Sequence, residues 1–247
     1  MGGCRLAGPS GALEGRLVDL THPLNESAVY WPTGRGFSLE KVAYGPTPAG
    51  FFYAANNFSM AEHCGTHLDA PIHFAEGRDT VDRIPLGRLF GPAAVIDLRA
   101  ACAADPDYRM SLGDLEASER RHGRIERGAI LLVRTGWSER WSDRKRYLGS
   151  DAPGDASNLH FPGVSEDAAR ALVERGVGAV GIDTASLDHG PSKEFPTHRV
   201  LLGANVPGLE NLMNLGALPP RGAFLVALPI KIEGGSGGPC RVVAVLP

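Results

Sequence analysis

The run His63-Cys64-Gly65-Thr66-His67-Leu68-Asp69-Ala70-Pro71-Ile72-His73 places three histidines and a carboxylate in one short segment. All four candidate donors, His63, His67, Asp69 and His73, fall on odd positions, so an extended backbone would project them to one face. A helix would scatter them at about 100° per residue, and Gly65 and Pro71 are poor helix-interior residues. A straight strand fails as well. At roughly 3.3 Å per residue, His63 and His67 would stand about 13 Å apart, too far to share one ion comfortably. The segment is therefore expected to bend near Gly65-Thr66. Neutral imidazole nitrogens with an anionic oxygen form a donor set for Zn²⁺, Mn²⁺ or Fe²⁺, and one carboxylate can bridge two ions through its two oxygens. Four such groups converging without a cation would be a costly polar cluster to bury. Cys64, at an even position, points away from the donor face and is expected as a small packed thiol.

The elements that must position these groups show in the apolar pattern. Strand-length apolar runs occur at residues 16–20, 93–98, 130–134, 179–182, 224–229 and 242–246, several bounded by Gly or Pro. Ser165 followed by Glu166 and Asp167, with apolar positions at Ala168, Ala169, Leu172 and Val173 and a stop at Gly176, predicts a helix. Ser111-Leu112-Gly113-Asp114 opens a second, running toward Arg121 and ending near Gly123. Strands interleaved with few helices predict a mixed α/β fold, less regular than a doubly wound sheet. One domain is expected over residues 16–247, after a flexible Gly/Pro-rich segment at 1–15. Residues 141–158, rich in Asp, Gly, Ser and Arg, read as a surface excursion bordering the site.

Two glycine motifs are set aside. Gly176-Val177-Gly178-Ala179-Val180-Gly181 follows a helix and leads into a strand, the reverse of the order that seats a pyrophosphate on a helix N-terminus. Gly234-Gly235-Ser236-Gly237-Gly238 has the spacing of a nucleophile elbow, yet neither Asp nor His follows it, so Ser236 reads as part of a hairpin turn.

The 247 residues, 43% hydrophobic and 21% charged, have an ordinary globular composition. A net charge of −3 gives no basic surface for nucleic acid, and no stretch approaches the ~18 apolar residues of a membrane span. Cysteines at 4, 64, 102 and 240, with no CxxC spacing, fit free thiols in a reducing, cytoplasmic compartment.

The run His63 to Phe74 resembles the HxGTHxDxPxH signature of the metal-dependent cyclase family, which includes bacterial kynurenine formamidases and isatin hydrolases. The resemblance extends to Asp19-Leu20-Thr21-His22-Pro23-Leu24 with Trp31-Pro32, to Gly181-Ile182-Asp183-Thr184 with Ser186-Leu187-Asp188, and to the distal pair His198 and Glu210. It implies a swivelling β/β/α-type fold, one or two divalent ions (Mn²⁺ or Zn²⁺) held by His63, His67, Asp69, His198 and Glu210, and His73 as general acid/base. It also implies a homodimer or homotetramer that hydrolyses the C–N bond of a small aromatic amide, cyclic as in isatin or linear as in N-formylkynurenine. The alternative is a cyclase or dehydratase acting on a carbonyl without adding water. Trp31 sits where relatives place a substrate-contacting aromatic. His160 and Asp183, the latter at the end of an expected strand, are candidate neighbours of the substrate. Phe51, Phe52, Tyr53, Asn56, Asn57 and Phe58 are further candidates for lining an aromatic pocket.

Overall fold

The computed structural model describes residues 15–247, so Cys4 and nearly all of the expected N-terminal segment lie outside the described residues. The strands in chain order are β1 (Arg16–Asp19), β2 (Ser38–Pro46), β3 (Phe52–Ser59), β4 (His67–Asp69), β5 (Phe90–Asp97), β6 (Arg109–Met110), β7 (Ile130–Arg134), β8 (Gly163–Val164), β9 (Ala179–Ile182), β10 (Gly208–Glu210), β11 (Phe224–Pro229) and β12 (Gly237–Leu246). The α-helices are α1 (Arg99–Ala104), α2 (Leu112–His122), α3 (Arg144–Leu148), α4 (Glu166–Arg175) and α5 (Pro196–Gly203).

The main sheet runs β1-β12-β11-β5-β7-β9-β10-β4, and β4 also pairs with β12, which closes it into a barrel. Pairing is parallel among β5, β7, β9 and β10, and antiparallel elsewhere in this sheet. Its interior holds Leu68, Ala93, Val95, Ile130, Leu132, Leu209, Leu225 and Val242. The alternate residues Ala94, Ile96, Leu131 and Val133 pack outward with Leu115 of α2 and Ala168 and Leu172 of α4. Burial on both faces explains why β5 and β7 read as continuous apolar runs. This is the single-domain mixed α/β architecture expected from the sequence.

The two expected helices form where their caps lie. Ser111 and Asp114 make a reciprocal capping box on α2, and Ser165 accepts from Ala168 N–H at the start of α4. Gly176 closes α4 in the left-handed region at φ 71°. The chain then enters β9, so the first glycine motif does run from helix to strand.

Two expectations change. Residues 141–158 are more than a surface excursion: Tyr147 and Leu148 of α3 are fully buried with Trp137, Leu159 and Phe161. Trp137 Nε1 donates to Tyr147 O at 2.7 Å, and the Tyr147 hydroxyl donates to Asn211 Oδ1 at 2.9 Å. The aromatic run 51–58 belongs to the β2–β3 hairpin, whose Phe51, Phe52, Tyr53 and Phe58 side chains are exposed rather than lining a pocket. Among the described residues, no helix is long and apolar enough to cross a membrane.

Candidate metal centre

β4 carries two of the expected donors into the barrel wall, flanked by β10 and β12. Glu210 of β10 pairs across from His67, and Gly208 and Gly237 sit on either side of Asp69. The bend before β4 is made by Gly65, at φ 69°, whose N–H donates to Val29 O. Past β4, Pro71 starts a single 3₁₀ turn that carries His73 back over the site. Only His67 and Asp69 thus share a strand face. His63 and His73 reach the same place through the two bends: the one at Gly65 lies where the sequence placed it, and the turn at Pro71 is a second that the sequence reading did not include.

Two sets of donors meet at Asp69. His63, His67 and Asp69 form one, and Asp69, His198 and Glu210 the other, with the candidate ligand atoms of each within 4.8 Å of one another. Asp69 Oδ1 lies 2.7 Å from His63 Nδ1 and 3.2 Å from His67 Nε2, while Asp69 Oδ2 lies 3.2 Å from His198 Nε2. Glu210 reaches His198 Nε2 at 3.1 Å and His67 Nε2 at 3.4 Å, and accepts the Leu187 N–H at 2.8 Å.

The far nitrogen of each ring has its own acceptor. His67 Nδ1 lies 2.9 Å from Gly65 O, and His198 Nδ1 lies 2.6 Å from Asp188 Oδ2. Asp188 also accepts the Thr197 and His198 N–H groups at the start of α5, so it fixes the helix and the ring together. With Nδ1–H donated away, the Nε2 lone pairs of His67 and His198 point at carboxylates. His67 Nε2 is buried there without a hydrogen bond. An orphaned buried nitrogen beside two carboxylates calls for a cation, and nitrogen with oxygen donors suits a divalent transition ion.

The electrostatics express the same demand. Burial opposes charge on His67, but Asp69 and Glu210 outweigh it and raise the ring to about 10. Burial likewise opposes His198, and Asp188, Asp69 and Glu210 lift it well above its ordinary value. Asp69 is driven up by desolvation and, more strongly, down by His63, His67 and His198, leaving it well below the usual carboxylate range.

His73 belongs to neither donor set. Its ring stacks on His63 at 4.0 Å between centroids, and burial lowers it to about 4 despite the pull of Asp69. A cavity of about 290 Å³ opens over these residues, walled by Tyr30, Trp31, Phe74 and Phe195, with Ser186 and Asn211 among its polar groups. Among the described residues, no Lys or Arg lines it. Phe195 holds its place at φ 46°, in the left-handed region that bulky residues rarely adopt.

The family model described as "Putative cyclase" matches residues 18–189. The chain belongs to the putative cyclase family. It is 37% identical over 206 residues to an isatin hydrolase of Roseibium aggregatum, covering 80% of this chain and 77% of that one. It is 31% identical over 232 residues to a kynurenine formamidase of Salinibacter ruber, covering 92% and 96% of the two. The solved structure of isatin hydrolase A from Ralstonia solanacearum matches with a TM-score of 0.87 at 37% identity, over 99% of this chain and 100% of that one.

In this chain the structure brings together His63, His67, Asp69, His198 and Glu210, sets His73 beside them and places Trp31 in the cavity wall. It does not bring His160 or Asp183 there. His160 is half-exposed, paired with Asp107 at 2.7 Å on the surface. Asp183 is buried at the end of β9, and its carboxylate is consumed by Thr135 N–H and Oγ1 and by Gly136 N–H, at 2.8, 2.6 and 2.9 Å. Sequence reasoning missed the orienting role of Asp188, the aromatic walls Phe74 and Phe195, and Asn211, whose amide nitrogen donates to Gly65 O at 2.8 Å. Only Asp188 left a signal, an acid ten residues before the candidate ligand His198. Cys64 is fully buried, and burial raises its thiol pKa, as expected for a packed group.

Proposed function

We propose that this chain is a metal-dependent hydrolase that opens the ring of a small, uncharged aromatic cyclic amide, isatin or a close analogue. The observation that carries this choice over N-formylkynurenine is the cavity lining. Its walls are aromatic and, among the described residues, it holds no Lys or Arg, so a planar neutral ring is accommodated while the carboxylate of a formylated kynurenine finds no cationic side chain.

Asp69, His67, His198 and Glu210, with His63, would hold one or two divalent ions, Mn²⁺ or Zn²⁺. When bound, such an ion polarises the amide carbonyl and lowers the pKa of water. The protein's part is to seat the ring between Trp31, Phe74 and Phe195 with its carbonyl toward Asp69 and Glu210. His73, neutral at pH 7 and facing the cavity, takes a proton from water and delivers it to the departing nitrogen. Measuring kcat/KM on isatin and on N-formylkynurenine with the same metal-loaded preparation tests the reading. A preference for isatin of tenfold or more, about 1.4 kcal/mol, supports it, and the opposite preference overturns the substrate choice.

We also propose that the protein is a homo-oligomer, in the cytoplasmic compartment that its free, buried Cys64, Cys102 and Cys240 suit. The support for the oligomer is the β2–β3 hairpin, where Leu39, Val42, Tyr44, Phe51, Phe52, Tyr53 and Phe58 are all exposed. Together they present on the order of 900 Å², comparable with the ~800 Å² each partner gives a standard interface, and a second copy supplies a matching surface. Light scattering at micromolar concentration should give a dimer or tetramer mass, and a monomer would refute it.

A further inference from the structure

The glycine-rich turn set aside above as a nucleophile elbow is built against the metal centre. Ser236 N–H and Ser236 Oγ both reach Glu62 Oε2, at 3.0 and 2.5 Å, and Ser236 Oγ lies 3.0 Å from His63 Nε2. Ser236 O accepts the Ala70 N–H at the end of β4, which ties the turn to the donor strand. The glycines on either side are required by this approach. A Cβ at Gly235 would stand 2.8 Å from Glu62 Oε1, and one at Gly237 would stand 2.6 Å from His63 Cε1.

Proton accounting gives the arrangement a direction. A serine hydroxyl has one proton, and with Glu62 accepting it, the oxygen can only accept from His63. His63 Nε2 must then carry a proton, and in the neutral ring this leaves the Nδ1 lone pair facing Asp69 Oδ1 at 2.7 Å. Nδ1 and Oδ1 are then two donors placed to share one divalent ion. Gly65 O and Asp188 place the protons of His67 and His198 on Nδ1, so those rings present Nε2 instead. His63 is the one ring of the three turned the other way, and Ser236 with Glu62 is what turns it.

We propose that Ser236 and Glu62 are positioning residues of the metal centre, a hydroxyl relayed to a carboxylate that orients His63 to coordinate a divalent ion through Nδ1. The inference rests on the metal reading above. Outer partners of metal-bound histidines commonly contribute about 10- to 100-fold in affinity.

The test measures Mn²⁺ affinity by the spin resonance of the free ion, together with the melting temperature of the metal-free protein. Ser236→Ala and Glu62→Ala should weaken Mn²⁺ binding about 10- to 100-fold, with metal-free melting nearly unchanged, and Ser236→Thr, which keeps the hydroxyl, should restore most of the affinity. As a measurement independent of any variant, imidazole ¹⁵N spectra of the Zn²⁺-loaded wild type should place the His63 proton on Nε2. Unchanged affinity in Ser236→Ala, or a proton on His63 Nδ1, overturns the proposal while leaving the metal reading intact. A wild-type protein that takes up no ion overturns both.

Discussion

Asp69 is the residue at which the two donor sets meet, so Asp69→Asn is the sharpest perturbation of the centre. The carboxylate is almost fully buried and lies within 2.7 to 3.2 Å of three histidine nitrogens, one oxygen serving His63 and His67 and the other His198. An ion that binds only the folded state stabilises it by about 2.7 kcal/mol at a free concentration of 100 times its dissociation constant. For a chain of this size, 1 kcal/mol shifts the melting temperature by about 2–4 °C, so each bound ion should raise it by about 5–11 °C. Asparagine keeps the shape and loses the charge and one ligand oxygen, which should abolish the increment from both sets together. Comparing increments rather than absolute melting points cancels any change in metal-free stability. The assay is thermal unfolding of stripped protein with and without added Mn²⁺ or Zn²⁺, paired with elemental analysis. Glu210→Gln touches chiefly the set formed with His198 and should retain part of the increment. An Asp69→Asn protein that kept the wild-type increment and stoichiometry would refute the shared-carboxylate geometry.

His73→Ala should keep its full metal content by elemental analysis while turnover falls at least about a hundredfold, the usual scale for a lost acid/base group. Asp183→Ala leaves three donors unpaired, two of them buried, and should cost about 3 kcal/mol in urea unfolding, with the KM of the folded fraction unchanged, because Asp183 props β9 against Thr135 and Gly136 and lies outside the cavity. His22 stacks on Trp141, and burial lowers it to about 4 from 6.5. Between those values the unfolded chain binds a proton that the folded one does not, so this contribution is complete above pH 6.5 and is lost as pH falls toward 4. From pH 7 to pH 5 the loss is about 2 kcal/mol, and a His22→Gln protein should show that much less acid sensitivity in chemical denaturation.

Much of this was legible from the sequence because the informative segments are governed locally. β7, β9 and β11 fall on apolar runs that the barrel buries, and α2 and α4 start at serine caps with acids behind them. The run from His63 to His73 declared its chemistry through residue type and spacing. Other features depend on partners far away in the chain. The β2–β3 hairpin has no buried face to impose alternation, and β4 is too short to register. Asp183 had the right address, the end of a central strand, but its oxygens are consumed by a neighbouring turn. Ser236 read as a turn because its two partners, Glu62 and His63, lie more than 170 residues earlier.

The claim that this site hydrolyses a cyclic amide is tested most directly by turnover of isatin in water enriched with oxygen-18, using protein whose metal content has been verified. The account predicts a ring-opened product bearing solvent oxygen in its new carboxylate, formed at a rate that chelation abolishes and Mn²⁺ or Zn²⁺ restores. Isatin left unconsumed by metal-loaded protein, or a product without the label in that carboxylate, would contradict it.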